Sequence, residues 1–146
     1  MMKKHIIPFF LSLILVFGMS VPASANDNEL VPYASNYLER YYVALGAHGN
    51  GKMTISISVD GVGKQDKIGV LSIDIEKKVN GEWQYHDTLD SIDHPEFFTY
   101  NSYDHVGAVD FYGTPGVTYR VTLLVYAKKG SGSDTGTITS PEVVCK

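Results

Sequence analysis

Met53-Thr54-Ile55-Ser56-Ile57-Ser58-Val59 alternates apolar and hydroxyl side chains without a break. A period of two sends the apolar residues to one face of an extended strand and the hydroxyls to the other. The pattern returns in Leu71-Ser72-Ile73-Asp74-Ile75-Glu76. It returns again in Tyr119-Arg120-Val121-Thr122-Leu123-Leu124-Val125, where Tyr119, Val121, Leu123 and Val125 form the inward set. Weaker strands are expected over about 38 to 46, 82 to 88, 105 to 112 and 135 to 140. Turn-forming clusters such as Asp60-Gly61-Val62-Gly63 and Gly130-Ser131-Gly132-Ser133 separate them. Short strands with one apolar face each predict two antiparallel sheets packed face to face, not a parallel sheet buried on both sides.

Two segments admit more than one reading. Tyr33, Tyr37 and Tyr41 recur every four residues, and Asn36 with Glu39 resembles a helix capping box. The run Tyr41-Tyr42-Val43 nevertheless favours strand, ending in a hairpin loop over Gly46-Ala47-His48-Gly49-Asn50-Gly51. At Asn80-Gly81, a two-residue turn pairs Lys78 with Trp83 and Glu76 with Tyr85, leaving both aromatics on the charged face. A three-residue loop, Val79-Asn80-Gly81, pairs Ile75 with Tyr85 and Leu71 with Leu89 and buries Trp83. The second register is the expected one, because it keeps apolar side chains together. Met53, Ile55, Ile57, Val59, Leu71, Ile73, Ile75, Trp83, Tyr85, Val109, Phe111, Tyr119, Val121, Leu123, Val125 and Ile138 are the expected core.

Gly113-Thr114-Pro115-Gly116-Val117-Thr118-Tyr119-Arg120-Val121-Thr122-Leu123, continuing to Ser133, resembles the Pro-Gly-x-x-Tyr-x-Val stretch in the late strands of fibronectin type III domains. The resemblance implies a tyrosine corner at Tyr119, its hydroxyl reaching back to nearby backbone. With the strand pattern, it implies an all-β, immunoglobulin-like (fibronectin type III-like) antiparallel β-sandwich of about seven strands. The early Trp-x-x-Pro pattern of that family is absent. Over its whole length the chain also resembles small secreted proteins of Gram-positive bacteria, of unknown function, with a Val-Pro-Tyr-Ala-Ser-like mature N-terminus (Val31 to Ser35). That likeness implies secretion and the fold, and no mechanism.

The first residues carry, in order, a basic start (Lys3, Lys4), an apolar stretch from Ile6 to Met19, and small residues ending in Ala23-Ser24-Ala25. This is the layout of an export signal, with Ala23 and Ala25 marking cleavage after Ala25. The apolar stretch is shorter than the roughly 20 residues that span a bilayer. The expected organisation is a cleaved signal at 1–25, an N-terminal extension at 26–36, one sandwich domain at 37–141 and a tail at 142–146. The expected product is secreted, with no membrane association after signal removal. Losing Lys3 and Lys4 leaves ten basic residues against sixteen acidic ones, a net charge of −6, which argues against nucleic acid as a partner. Cys145 is the only cysteine, so no internal disulfide is expected. It reads as a tolerated tail residue, with a dimer linked through Cys145 as the alternative.

The densest polar stretch is His86-Asp87-Thr88-Leu89-Asp90-Ser91-Ile92-Asp93-His94, followed by Asp104 and His105. Imidazoles and carboxylates can hold zinc or calcium. Without an Asp-x-Asp-x-Asp-Gly loop or a paired-ligand motif, the expectation is a solvated acidic loop, with no metal and no cofactor. Serine, histidine and carboxylates are all present, but no Gly-x-Ser-x-Gly elbow is. Gly61-Val62-Gly63-Lys64 lacks the spacing of a phosphate loop, and no catalytic residue is expected. After position 25, fourteen residues are aromatic and ten of these are Tyr, a composition that suits sugar stacking or protein contact. Trp83, Tyr85, Tyr41, Tyr42 and Tyr126 are the candidate binding surface. The expected function is a non-enzymatic module that binds an extracellular protein or glycan. The alternatives are a secreted antibacterial or inhibitory effector, and a metal-dependent or hydrolytic enzyme using the His86 to His105 region.

Overall fold

The computed structural model describes residues 35–146; the expected export signal, its cleavage site and Tyr33 lie outside the described residues. Seven strands follow in order: β1 (Leu38–Gly49), β2 (Lys52–Val79), β3 (Glu82–Asp90), β4 (Phe98–Tyr112), β5 (Thr118–Lys129), β6 (Gly132–Thr139) and β7 (Val143–Val144), with one 3₁₀ turn at Pro95–Phe97. They form one antiparallel sheet curled into a half-barrel. The described residues contain no α-helix, and the tyrosine-rich segment from Leu38 onward is strand.

β2 departs furthest from the sequence pattern. The alternating runs at Met53 and Leu71 predict two strands divided by a turn at Asp60-Gly61-Val62-Gly63. The chain instead continues as one strand of 28 residues. Drawn straight at about 3.3 Å per residue it would extend roughly 90 Å, far beyond a domain of this size, so it has to curl. Between the pairs Asp60↔Asp104 and Gln65↔Ser102, β2 takes five steps where β4 takes two, an insertion that bends the strand without reversing it. Val62 N–H donates to the Tyr37 carbonyl at 2.9 Å. The buried Gln65 side chain donates from Nε2 to the carbonyls of Val62 and Gly63 at 2.9 and 3.3 Å. These bonds satisfy backbone groups that a reversing turn would pair internally. Further along, a Cβ on Gly69 would lie 1.9 Å from the Phe97 carbonyl oxygen, so only glycine lets β2 pass the 3₁₀ turn.

The first half of β2 lies between β1 and β4. Its second half lies between β5 on one side and, on the other, the start of β4 followed by β3. β6 and β7 extend β5. Curling folds the apolar face on itself. Tyr41, Val43 and Leu45 of β1 are thereby buried with Met53, Ile55, Ile57, Val59, Ile68, Val70, Ile73 and Ile75 of β2 and Tyr119, Val121, Leu123, Val125 and Ala127 of β5. β1 closes against β6 at Gly136, where an added Cβ would meet the Tyr41 hydroxyl at 2.6 Å.

The β2–β3 hairpin corrects the expected register. Val79 pairs with Glu82, Lys78 with Trp83 and Glu76 with Tyr85. Asn80 and Gly81 both have positive φ, 51° and 81°, as a two-residue type I′ turn requires, and that turn matches the twist of its strands. Neither apolar pair that argued for a three-residue loop forms, since Ile75 lies opposite Asp87 and Tyr85 opposite Glu76, but one other apolar pair is gained inside the ladder. A register shift between Ile75 and Glu76 absorbs His86 and brings Ile73 opposite Leu89. Trp83 and Tyr85 consequently leave the core: Tyr85 is 68% exposed and Trp83 half-buried.

The last residues, expected as a tail, are part of the sheet. Val143 and Val144 pair with Tyr119 and Thr118. Cys145 exchanges backbone bonds with Val117 and Gly116 at 2.9 Å, and the Lys146 carbonyl accepts from Gly51 N–H at 2.8 Å. The Cys145 side chain is buried.

Candidate functional site

Because Ile73, Ile75, Val121, Leu123 and Val125 point inward, the residues between them face outward. Cross-strand register arranges these in rows: Trp83 beside Lys78, then Tyr85, Glu76 and Arg120, then Thr88, Asp74, Thr122 and Thr139. The rows continue with Leu124 beside Thr137 and Tyr126 beside Thr135. Where β4 joins, Phe98 pairs with Gly69 and Tyr100 with Lys67. Three of the sequence candidates, Trp83, Tyr85 and Tyr126, therefore share one sheet face. Tyr42, 40% exposed, stands on the outer face of the other half, opposite Ser58. Tyr41 is 4% exposed and belongs to the core.

A cation lies over an aromatic ring at each end of this face. At one end the Arg120 guanidinium carbon lies 4.2 Å, and Lys78 Nζ 5.3 Å, from the Trp83 ring centre. Arg120 Nε donates to Glu76 Oε2 at 2.7 Å, and Lys78 Nζ reaches both Glu142 oxygens at 3.4 Å. At the other end Lys67 Nζ sits 3.8 Å over Phe98 and 5.9 Å from both Tyr100 and Tyr126. Phe98 and Tyr126 meet edge to face at 6.1 Å. Arg120 and Tyr126 are six residues apart on β5, roughly 20 Å at about 3.3 Å per residue. Hydroxyls fill the interval, with Thr122 bonded to Thr139 at 2.8 Å and Thr88 donating to Asp74 at 2.7 Å. Beside the first end opens a cavity of about 450 Å³, lined by Arg120, Thr139, Ser140, Pro141 and Glu142.

The histidines of the polar stretch point in unrelated directions. His86 meets Tyr119 edge-on at 5.3 Å. His94 stacks on Phe97 at 4.8 Å, and its Nδ1 is bonded to Glu96 at 2.9 Å, an interaction that lowers the Glu96 pKa. His105 is buried, with Nδ1 2.9 Å from Thr99 Oγ1 and no partner on Nε2. Burial lowers its pKa, opposed by the nearby Asp104 charge. No three His, Cys, Asp or Glu side chains among the described residues converge to hold a metal. On the other half of the sheet, hydrogen bonds from Thr54 and then Lys52 lower the Asp110 pKa, and the same contact raises that of Lys52.

Tyr119 anchors the start of β5. Its ring is fully buried, and its hydroxyl accepts the Thr114 backbone N–H at 2.9 Å. No protein-family model, curated protein or solved structure matches the chain.

Reasoning from tyrosine content overlooked Arg120, Lys67, Phe98 and Glu142. For Arg120 the signal was present: with Tyr119 and Val121 inward, period two sends it outward. Lys67 and Phe98 meet because β2 pairs with the start of β4, Lys67 opposite Tyr100 and Gly69 opposite Phe98, a long-range register that no local pattern encodes.

Proposed function

We propose that this protein is a non-enzymatic binding module that acts outside the cell and offers the outer face of β3, β2, β5 and β6 to its ligand. One observation carries the reading: Trp83 with Arg120, and Phe98 and Tyr126 with Lys67, stand at opposite ends of one hydroxyl-rich face. Fixed aromatic and cationic groups separated by small polar side chains suit recognition of an extended ligand. Export is supported by the ordered features of residues 1–25. The same reading takes the curled sheet as a variant of the immunoglobulin-like sandwich. The Tyr119 hydrogen bond and the closure of β1 on β6 support it, whereas the unbroken β2 is where such a sandwich would have two strands.

The test sediments the purified protein with isolated cell-wall polymer and compares Thr122→Arg, in the middle of the face, with Ser58→Arg on the other half. Co-sedimentation is expected for the parent protein and for Ser58→Arg, and its loss for Thr122→Arg. Equal binding by both variants, or turnover of a substrate without stable binding, would sink the reading.

A further inference from the structure

We infer that the cavity beside Arg120 is a subsite for one uncharged sugar unit of a glycan chain. The inference rests on reading the outer face as a binding surface, and it names the ligand class.

The cavity presents one cationic and one anionic group, each already balanced. Arg120 is bonded to Glu76 through Nε, and Glu142 is bonded to Lys78. Trp83 holds the guanidinium plane from one side. Among the described residues the Arg120 Nη groups have no protein acceptor, so they remain donors of fixed position. The 3.4 Å contacts from Lys78 leave the Glu142 carboxylate able to accept further bonds. Thr139 can donate or accept through the hydroxyl it shares with Thr122. Ser140 is committed, accepting from Val121 N–H at 3.0 Å and donating to the Pro141 carbonyl at 3.0 Å, so it forms a fixed wall.

Charge selects against the other ligand classes. An anion gains Arg120 but confronts Glu142, a cation meets the reverse, and an apolar ligand strands both groups without water. A sugar ring brings hydroxyls that donate and accept from the same edge, matching donors and an acceptor set side by side. At about 450 Å³ the space takes a small ligand, not a whole oligosaccharide. Further units of the chain then lie along Thr122 and Leu124 toward Tyr126, the direction in which the face continues.

Trp83 is the only tryptophan, and Arg120 lies on its ring, so its emission reports occupancy of the cavity. The protein is titrated with neutral tetrasaccharides (cellotetraose, chitotetraose, maltotetraose), with anionic tetragalacturonate and with a cationic chitosan tetramer. Calorimetry provides a second readout. At least one neutral tetrasaccharide is expected to shift Trp83 emission to saturation. Glu142→Ala is expected to weaken it about tenfold by calorimetry, about 1.4 kcal/mol, and Ser58→Ala to leave it unchanged. Tighter binding of a charged tetramer, neutral binding indifferent to Glu142→Ala, or no binding across the panel each overturns the inference. In the last case the wider reading still stands if Thr122→Arg abolishes polymer binding, and falls with the subsite if it does not.

Discussion

Arg120 places its guanidinium carbon 4.2 Å from the centre of the Trp83 ring, so the single tryptophan is held on the outside of the sheet by a cation. An exposed cation–aromatic contact contributes about 0.5–1 kcal/mol. The partly exposed Arg120–Glu76 pair adds at most about 1 kcal/mol after screening. Arg120→Ala is expected to shift Trp83 emission to the red and to lower the melting temperature by roughly 5 °C. Unchanged emission would show that the ring does not rest on Arg120.

Tyr119→Phe removes one oxygen and little volume. It leaves the Thr114 N–H without the acceptor it meets at 2.9 Å, a loss of about 1–2 kcal/mol for a partly buried donor. The urea midpoint is expected to fall with an unchanged slope. A midpoint equal to that of the parent protein would mean water replaces the hydroxyl at no cost.

Acid should weaken the fold through His105. Burial puts its folded pKa below the ordinary value of 6.5. Between the two values the unfolded chain holds more protons, and stability rises with pH. The His105 contribution is therefore complete above about 6.5 and declines as pH falls toward the folded value. His105→Gln keeps a partner for Thr99 without titrating. Urea midpoints at pH 7 and pH 5 are expected to differ less in this variant than in the parent protein. Asp110 acts in a separate, lower window, because its folded pKa lies below 3.8.

Cys145 is 1% exposed and is bound into the sheet by its neighbours. A thiol reagent is expected to react slowly with the folded protein and at the rate of a free thiol in denaturant. Fast labelling of the native protein would show that β7 detaches readily, which linkage of two chains through Cys145 would require.

Period two in the sequence carried most of the core, since Met53 to Val59 and Tyr119 to Val125 are buried as their alternation predicts. It failed where one side chain or one insertion overrode local chemistry. Asp60-Gly61-Val62-Gly63 has every residue a turn prefers. Gln65 caps its carbonyls and Tyr37 takes the Val62 N–H, so the chain does not reverse. At Trp83, apolar matching argued for burial, but Arg120 and Lys78 supply partners for the ring outside. Lys78 faces Trp83 across the two-residue turn, a pairing the hairpin itself encodes, whereas Arg120 comes from β5 and no residue of the hairpin announces it.

β2 is bonded in turn to β1, β4, β5 and β3, so both halves of the half-barrel share a single spine. Neither half keeps its hydrogen-bonded neighbours if the other loses the common strand. Unfolding should be all-or-none across the described residues. Most of these pairings join residues far apart in sequence, so folding should be slow for a chain of this size. A ligand gripping one end of the outer face would thereby stabilise the far end as well, through a continuous covalent strand.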